Sequence, residues 1–159
     1  MKSKLTVLSF VDYYLPGFKF GGPTRVLANT VEHLGEEFDF RIVTTDRDAG
    51  EAHPYAGIAV DSWVNVGYSE VCYLPREMIT YAKLRSMITA AKPDIIYLNS
   101  FFSPIFTIRP MILRRLGLIP NVPVIVAPRG EFSPGALESK LSRRSCLLPW
   151  RDFLVCIQT

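Results

Sequence analysis

The sequence has few of the residues from which a disulfide framework, a zinc site or a nucleic-acid surface is built. Its three cysteines, Cys72, Cys146 and Cys156, are odd in number and include no Cys-x-x-Cys pair, so neither a disulfide scaffold nor a metal site is indicated. The formal net charge is only +3, and this scattered charge is too weak to predict a nucleic-acid partner. The cysteine usage fits a reducing cytoplasm.

Long apolar runs are also missing. The longest uncharged stretch, residues 95–108, is shorter than the about 20 residues that a membrane helix needs and is interrupted by Pro104. We therefore predict no transmembrane segment and a cytoplasmic location. The basic pair Arg143-Arg144 is suited to a peripheral contact with anionic lipid on the cytoplasmic membrane face.

Strand and helix patterns alternate along the chain. Residues 4–10 form a continuous apolar run, as a central parallel strand does, and a helical pattern at 23–34 followed by a β-rich segment at 38–44 predicts a βαβ unit. The remaining predictions are extended pieces at 58–60 and 71–74, helices at 76–91, 104–116 and 134–148, and strands at 95–98 and 122–127. The alternation predicts an α/β fold with a doubly wound, mostly parallel, Rossmann-like sheet.

The loop between the first strand and the first helix contains Gly17, Gly21 and Gly22, and Pro23 follows. A helix that starts there presents unpaired N–H donors and attracts a carboxylate or phosphate. The glycine spacing matches a P-loop, but Pro23 stands in the place of the lysine. The dinucleotide pattern Gly-x-Gly-x-x-Gly is absent, although Asp46 lies where a ribose-binding acid would be expected. A plain tight turn and an anion-binding turn both remain open.

Polar residues also follow two later strands of the predicted sheet. Asn99 and Ser100 either hydrogen-bond sugar hydroxyls or cap the next helix. Arg129 either holds a phosphate or carboxylate bidentately or forms a surface pair with Glu131 or Glu138. Since the carboxyl ends of parallel strands share one edge of the sheet, these residues are expected on the same edge as the glycine loop.

Two further features have structural explanations beside the functional ones. Ser103 is predicted to cap the helix that begins at about residue 104. The aromatic residues around the glycine loop form a stacking platform for a sugar or lipid, or else pack into the core. These residues are Tyr13, Tyr14, Phe18 and Phe20.

Three segments carry a resemblance to a known family: Gly21-Gly22-Pro23-Thr24-Arg25, the stretch KPDIIYLNSFFS at 92–103 and the stretch PRGEFSPGAL at 128–137. From about residue 4 to residue 140 the chain resembles the N-terminal domain of a family 4 glycosyltransferase. These two-domain enzymes of the GT-B fold build polysaccharide or lipopolysaccharide. The resemblance implies a Rossmann-like acceptor-side domain at 1–140 and an incomplete basic and apolar segment at 141–159.

The same resemblance implies a retaining transfer of a sugar from a nucleotide-diphosphate donor to a glycan or lipid-linked acceptor, with no cofactor and no obligatory metal. In that picture the amides of Gly21 and Gly22 contact the donor diphosphate. No catalytic residue is assigned. The residues that the resemblance places in the substrate or acceptor cleft are Arg25, Asn99, Ser100, Arg129, Gly130 and Glu131.

The sequence departs from the family in two ways. Many relatives carry a His-Asp pair where this chain has Arg129-Gly130-Glu131, so no histidine role is transferred. In the family a second domain carries a donor-binding Arg and Lys and a Glu-x7-Glu element; no two glutamates in these 159 residues have that spacing, and the chain alone is expected to lack that domain and activity. The alternatives are a stand-alone α/β module that binds a phosphorylated small ligand and a non-functional truncated remnant.

Overall fold

The computed structural model describes residues 4–132. The chain divides into two compact units, Met1–Arg129 and Gly130–Thr159, and every helix and strand of the described residues belongs to the first. The predicted boundary at residue 140, the helix from residue 134 and the segment 141–159 lie outside the described residues. In chain order the elements are β1 (Leu5–Phe10), α1 (Gly22–Leu34), β2 (Phe38–Thr45), β3 (Trp63–Val66), β4 (Ser69–Leu74), α2 (Tyr81–Ala91), β5 (Ile95–Leu98), α3 (Arg109–Arg115) and β6 (Val124–Val126).

Six strands form one sheet in the order β3-β4-β2-β1-β5-β6. All neighbours pair in parallel except β3 and β4, which are antiparallel. The predicted α/β fold with a mostly parallel, Rossmann-like sheet is confirmed. The strand order reverses between β1 and β5, and in such sheets the crevice outside the carboxyl ends at this point is where ligands bind.

β1 is mostly apolar because both of its faces are covered. Val7 packs in one cluster with Leu27 of α1, whereas Leu8 and Phe10 pack in another with Leu84 of α2. Side chains alternate between the faces of a strand, so a strand between two helical layers needs apolar residues at odd and even positions alike. Each fully buried side chain of this size stabilises the fold by about 1.5–3 kcal/mol.

The region between β2 and β4 differs from the prediction. Residues 58–60 form no strand; Val60 makes a single bridge to Tyr73. The strand β3, which was not predicted, pairs with β4 through a hairpin whose two turn residues lie between Val66 and Ser69. Gly67 takes a φ of +58° there, which glycine adopts without strain and which matches the twist of a tight hairpin.

One of the two later helices begins further along the chain than predicted. Residues Arg76–Met78 form a 3-10 turn, and α2 begins only after Thr80, whose side chain accepts a hydrogen bond from the amide of Lys83. The other helix begins at Pro104 as predicted, but its first part, Pro104–Ile108, is a π-helical turn that leads into α3. Pro110 has no N–H to complete an ordinary α-helical ladder at that position.

The predicted end of α3 is confirmed. Gly117 has a φ of +66° and donates to the carbonyl of Arg114, while the amide of Leu118 donates to Leu113. This pair of bonds is a Schellman cap, which satisfies the last carbonyls of a helix. No helix within residues 4–132 is both long and apolar enough to cross a membrane.

Candidate functional site

A polar network joins the carboxyl ends of β1 and β5 where the strand order reverses. Asn99 follows β5 and is only 2% exposed. Its backbone N–H donates to the carbonyl of Phe10 at 3.1 Å, and its Nδ2 donates to Ser9 Oγ at 2.8 Å. Asn99 therefore links the ends of β1 and β5, since a buried amide must find partners for its donors and its acceptor.

The side chain of Arg129 completes this network. Its Nη2 donates to Asn99 Oδ1 at 2.6 Å and to the Tyr97 hydroxyl at 2.7 Å, and the guanidinium lies 5.6 Å from the centre of the Tyr97 ring. Arg129 has a φ of +52°, a backbone conformation that costs a non-glycine residue energy and is concentrated at functional sites. Its Nε is buried without a hydrogen-bond partner among the described residues.

The residues after Asn99 hold the loop that enters the π-helical turn. Ser103 Oγ accepts a hydrogen bond from the amide of Phe106 at 3.1 Å, which confirms the predicted cap, and donates to Asp12 Oδ1 at 3.0 Å. Ser100 Oγ accepts from the Ser103 amide, and the Ser100 carbonyl accepts from Thr107 Oγ1 at 2.6 Å. The loops after β1 and β5 are thus linked through side chains.

The first half of the glycine loop already binds a carboxylate of its own chain. Asp48 Oδ2 accepts hydrogen bonds from the amides of Phe18 at 2.9 Å and Lys19 at 3.1 Å. Burial opposes the charge of Asp48 and would raise its pKa. The two hydrogen bonds, a third from the amide of Ala49 and the positive charge of Lys19 together outweigh burial, so the pKa of Asp48 lies below its usual value. A side chain at Gly17 would overlap the Tyr55 hydroxyl and the Asp48 carboxyl group. A side chain at residue 17 would therefore require Tyr55 and Asp48 to shift.

The second half of the loop is open. The N–H of Gly21 donates to the Phe18 carbonyl at 3.1 Å, but Gly22, the first residue of α1, is exposed, and a Cβ at either glycine would meet no atom within 4 Å. Pro23 is consequently the second helical residue rather than the first. The helical ladder begins with the bond from Arg25 N to Gly21 O, so the N–H groups of Gly22 and Thr24 have no partner within the helix.

No acidic residue lies in the first turn of α1, and no side chain caps it. The exposed Arg25 adds a positive charge to the turn and has no hydrogen-bond or ion-pair partner among residues 4–132. Thr24, by contrast, is buried, and its hydroxyl donates to the Tyr13 carbonyl at 2.9 Å. The start of α1 is thus firmly attached to the loop and carries an uncompensated positive end.

The aromatic residues near the loop differ in burial. Tyr14 is 1% exposed and belongs to the core, whereas Phe18 is 71% exposed. The rings of Tyr13 and Phe20 are in contact, with 4.9 Å between their centres.

Asp46, which the sequence placed where a ribose-binding acid is expected, is engaged elsewhere. It is 4% exposed, and Arg47 holds both carboxylate oxygens, at 2.8 and 3.2 Å. Asp48, two residues later, was not predicted to interact with the glycine loop. The sequence shows only that Asp48 is an acidic residue in the polar loop after β2. No spacing in the sequence relates Asp48 to residues 17–19, so the contact could not be predicted.

Gly130 and Glu131 belong to the second unit. Gly130 is exposed with a φ of +77°, and Glu131 is half-buried. Within residues 4–132, no group of three or more His, Cys, Asp or Glu side chains is arranged to hold a metal ion.

A family model described as a glycosyl transferase 4-like domain matches residues 21–155. The match begins at the open end of the glycine loop and includes every residue that the resemblance assigns to the cleft. Comparison with curated proteins and with solved structures finds no similar protein.

Proposed function

The chain belongs to the glycosyl transferase 4-like family, and from this premise we propose that it forms the acceptor-side part of an enzyme that moves a sugar from a nucleotide-diphosphate donor to a glycan or lipid-linked acceptor. The family supports a glycosyl transfer module. It gives no support to the alternative of a stand-alone phosphate-binding protein. The proposal has three further parts. The transfer retains the anomeric configuration, the product is of the polysaccharide or lipopolysaccharide type, and the protein is located in the cytoplasm at the membrane face.

The observation that carries the proposal is the open, uncapped start of α1. A diphosphate is the strongest anion on the donor, and the N–H groups of Gly22 and Thr24, the helix dipole and the nearby Arg25 are suited to stabilise it. Because the Gly21 N–H donates to the Phe18 carbonyl, we assign the direct contact to Gly22 and a bending role to Gly21. Charge on the departing diphosphate would be compensated there without a cofactor.

The network at the switch point supports the acceptor side of the proposal. Asn99 and Ser100 are committed to hydrogen bonds within the protein, so we propose that they shape the crevice. Arg129 is held in place by Tyr97 and Asn99, and its remaining N–H groups are proposed to orient the acceptor or the transferred sugar. The assignment of Gly130 and Glu131 to the same cleft stays a prediction.

Nucleotide binding tests the role of the helix start. The full chain is titrated with uridine, guanosine and adenosine diphosphates by calorimetry, and at least one is expected to bind. Gly22→Val should weaken that binding by at least about tenfold, because branched side-chain atoms would obstruct the amides that the diphosphate approaches. The control is Asn29→Val, which introduces the same residue at an exposed position of the same helix. This variant should bind as the wild type does.

Equal affinity of the wild type and Gly22→Val would refute the diphosphate assignment. Sugar transfer is measured separately with radiolabelled nucleotide sugars. The chain alone is expected to transfer none, and full activity would contradict the acceptor-side view.

A further inference from the structure

A cavity of about 270 Å³ opens beside the glycine loop, at the carboxyl ends of β1, β2 and β4. None of the residues assigned above to the donor or the switch-point crevice lines it. The volume lies just below the about 300–1,000 Å³ of sites for drug-sized ligands, so the cavity admits a small ligand. Its lining residues are Tyr13, Thr45, Arg47, Asp48, Gly50, Glu51, Ala52 and Arg76.

Most of the charged groups around the cavity already have partners. The Asp48 carboxylate accepts the backbone N–H groups of the glycine loop. Arg47 is paired with Asp46, and Glu51 with Lys19. Each of these charged groups is therefore held by at least one bond to a neighbouring residue or segment.

Two donors remain for a ligand. The Tyr13 hydroxyl and the Arg76 guanidinium have no hydrogen-bond partner among residues 4–132, and Arg76 is exposed. Glu51 is half exposed and uses one carboxylate oxygen for Lys19, so it retains acceptor capacity. The ring of Tyr13, held against Phe20, adds an apolar surface. The residues that line the cavity thus include two with free donors, one with a free acceptor and one with an aromatic ring.

The charges of the lining residues give no preference for an anion. Arg47 and Arg76 are balanced by Asp48 and Glu51, so the formal sum is zero and an anionic ligand gains no net attraction. A neutral ring that carries hydroxyl groups matches all three features: its oxygens accept from the free donors, its hydroxyls donate to the carboxylate, and its C–H face packs on the aromatic ring.

We infer that this cavity binds one neutral sugar ring of the acceptor, with Arg76 and the Tyr13 hydroxyl donating to sugar oxygens; the inference rests on the proposed function. The occupied ring would lie next to the loop that Asp48 holds, and so beside the segment that leads to the donor end of α1. Recognition of the acceptor would then depend on residues after β1, β2 and β4 as well as on those after β5.

The test is ligand-observed NMR on the full chain, with the methyl glycosides of glucose, galactose, mannose and N-acetylglucosamine titrated one at a time. At least one glycoside is expected to bind saturably and to resist displacement by inorganic phosphate. Arg76→Gln should weaken that binding by about tenfold, because it removes a charge-assisted donor, and Tyr13→Phe, which keeps the ring, should weaken it several-fold. Lys92→Gln, which removes an exposed cation at the amino end of β5, should have no effect.

The inference is overturned if no glycoside binds, if phosphate displaces the glycoside, or if Arg76→Gln and Tyr13→Phe both bind it as the wild type does. Circular dichroism and melting of each variant show whether the fold is retained. Nucleoside diphosphate binding is measured on the same samples. Loss of diphosphate binding in Gly22→Val but not in Arg76→Gln would support the proposed function even where the cavity inference fails.

Discussion

Replacement of Asp48 by alanine removes the carboxylate that holds the first half of the glycine loop. The carboxylate accepts two long-range hydrogen bonds, from Phe18 N at 2.9 Å and Lys19 N at 3.1 Å. Bonds to a charged group each contribute about 1.5–3 kcal/mol. The freed amides would regain water at the edge of the loop, so we take the lower end of that range and expect a loss of about 3 kcal/mol in the free energy of unfolding.

Urea denaturation followed by circular dichroism measures this loss, and thermal melting should show a decrease of about 6–12 °C, since each kcal/mol shifts the midpoint by about 2–4 °C at this chain length. Asp48→Asn keeps one acceptor oxygen and should lose about half as much. The control is Glu36→Gln, an amide replacement at an exposed carboxylate that has no partner among the described residues, and it should change stability by less than about 0.5 kcal/mol.

The pH dependence provides a second check on the same bond. Because the folded protein lowers the pKa of Asp48, the contribution is fully present above the unfolded value of about 3.9 and is lost as the pH falls through the folded pKa. The stability difference between the wild type and Asp48→Asn should therefore be constant near neutral pH and shrink below about pH 4. A difference that is the same at pH 7 and at pH 3, or a wild-type stability of Asp48→Ala, would refute the reasoning.

Three further predictions concern single residues. Gly17→Ala should destabilise the fold by at least about 2 kcal/mol because the added methyl group would overlap Tyr55 and the Asp48 carboxyl group, whereas Gly22→Ala, with open space around it, should be neutral or slightly stabilising; urea midpoints compare the two, and equal losses would contradict the packing argument. Ser103→Ala should cost about 1 kcal/mol, the usual value of a lost helix cap, measured in the same way; a neutral result would mean that the cap is not needed. The Cys72 thiol is buried, and burial raises its pKa to about 11, so iodoacetamide at pH 8 should leave it unmodified in the folded chain and alkylate it in urea, as mapped by peptide mass spectrometry; modification without urea would be the contrary result.

The sequence was sufficient for the parts of the fold that depend on local patterns. The apolar run of residues 4–10 predicts a strand covered on both faces, and Val7 and Leu8 do pack into different clusters. The glycine at residue 117 predicts the end of α3 for an equally local reason. Its conformation at positive φ allows the last carbonyls to be satisfied.

The start of α2 could not be predicted from apolar spacing. Residues 76–91 keep a helical pattern throughout, but Pro75 and the side-chain cap of Thr80 divide them into a 3-10 turn and a helix. The strand β3 was missed because its residues alternate between exposed and half-buried positions, and its pairing depends on the turn at Gly67. Boundaries of this kind are decided by hydrogen bonds of single residues, which the hydrophobic pattern does not record.

The candidate site shows the same limit at longer range. From the sequence, the three glycines of the loop form one group, because spacing alone gives no reason to separate them. In the folded chain they have three different surroundings: Gly17 makes room for Tyr55 and Asp48, Gly21 turns the backbone at a φ of +73°, and Gly22 opens the helix to solvent. The difference arises from Asp48, about thirty residues further along the chain, and no local pattern encodes such a contact.

The position of Asp48 also bears on the chemistry that we propose. A glycine loop with many free amides would attract anions along its whole length, and a diphosphate could then settle in more than one register. Since the chain's own carboxylate occupies the amides of Phe18 and Lys19, the donors that remain unclaimed are those at the start of α1. An internal anion that fills one half of the loop would thereby fix where an external anion can bind, and loss of Asp48 should destabilise the fold and let a diphosphate bind in more than one register.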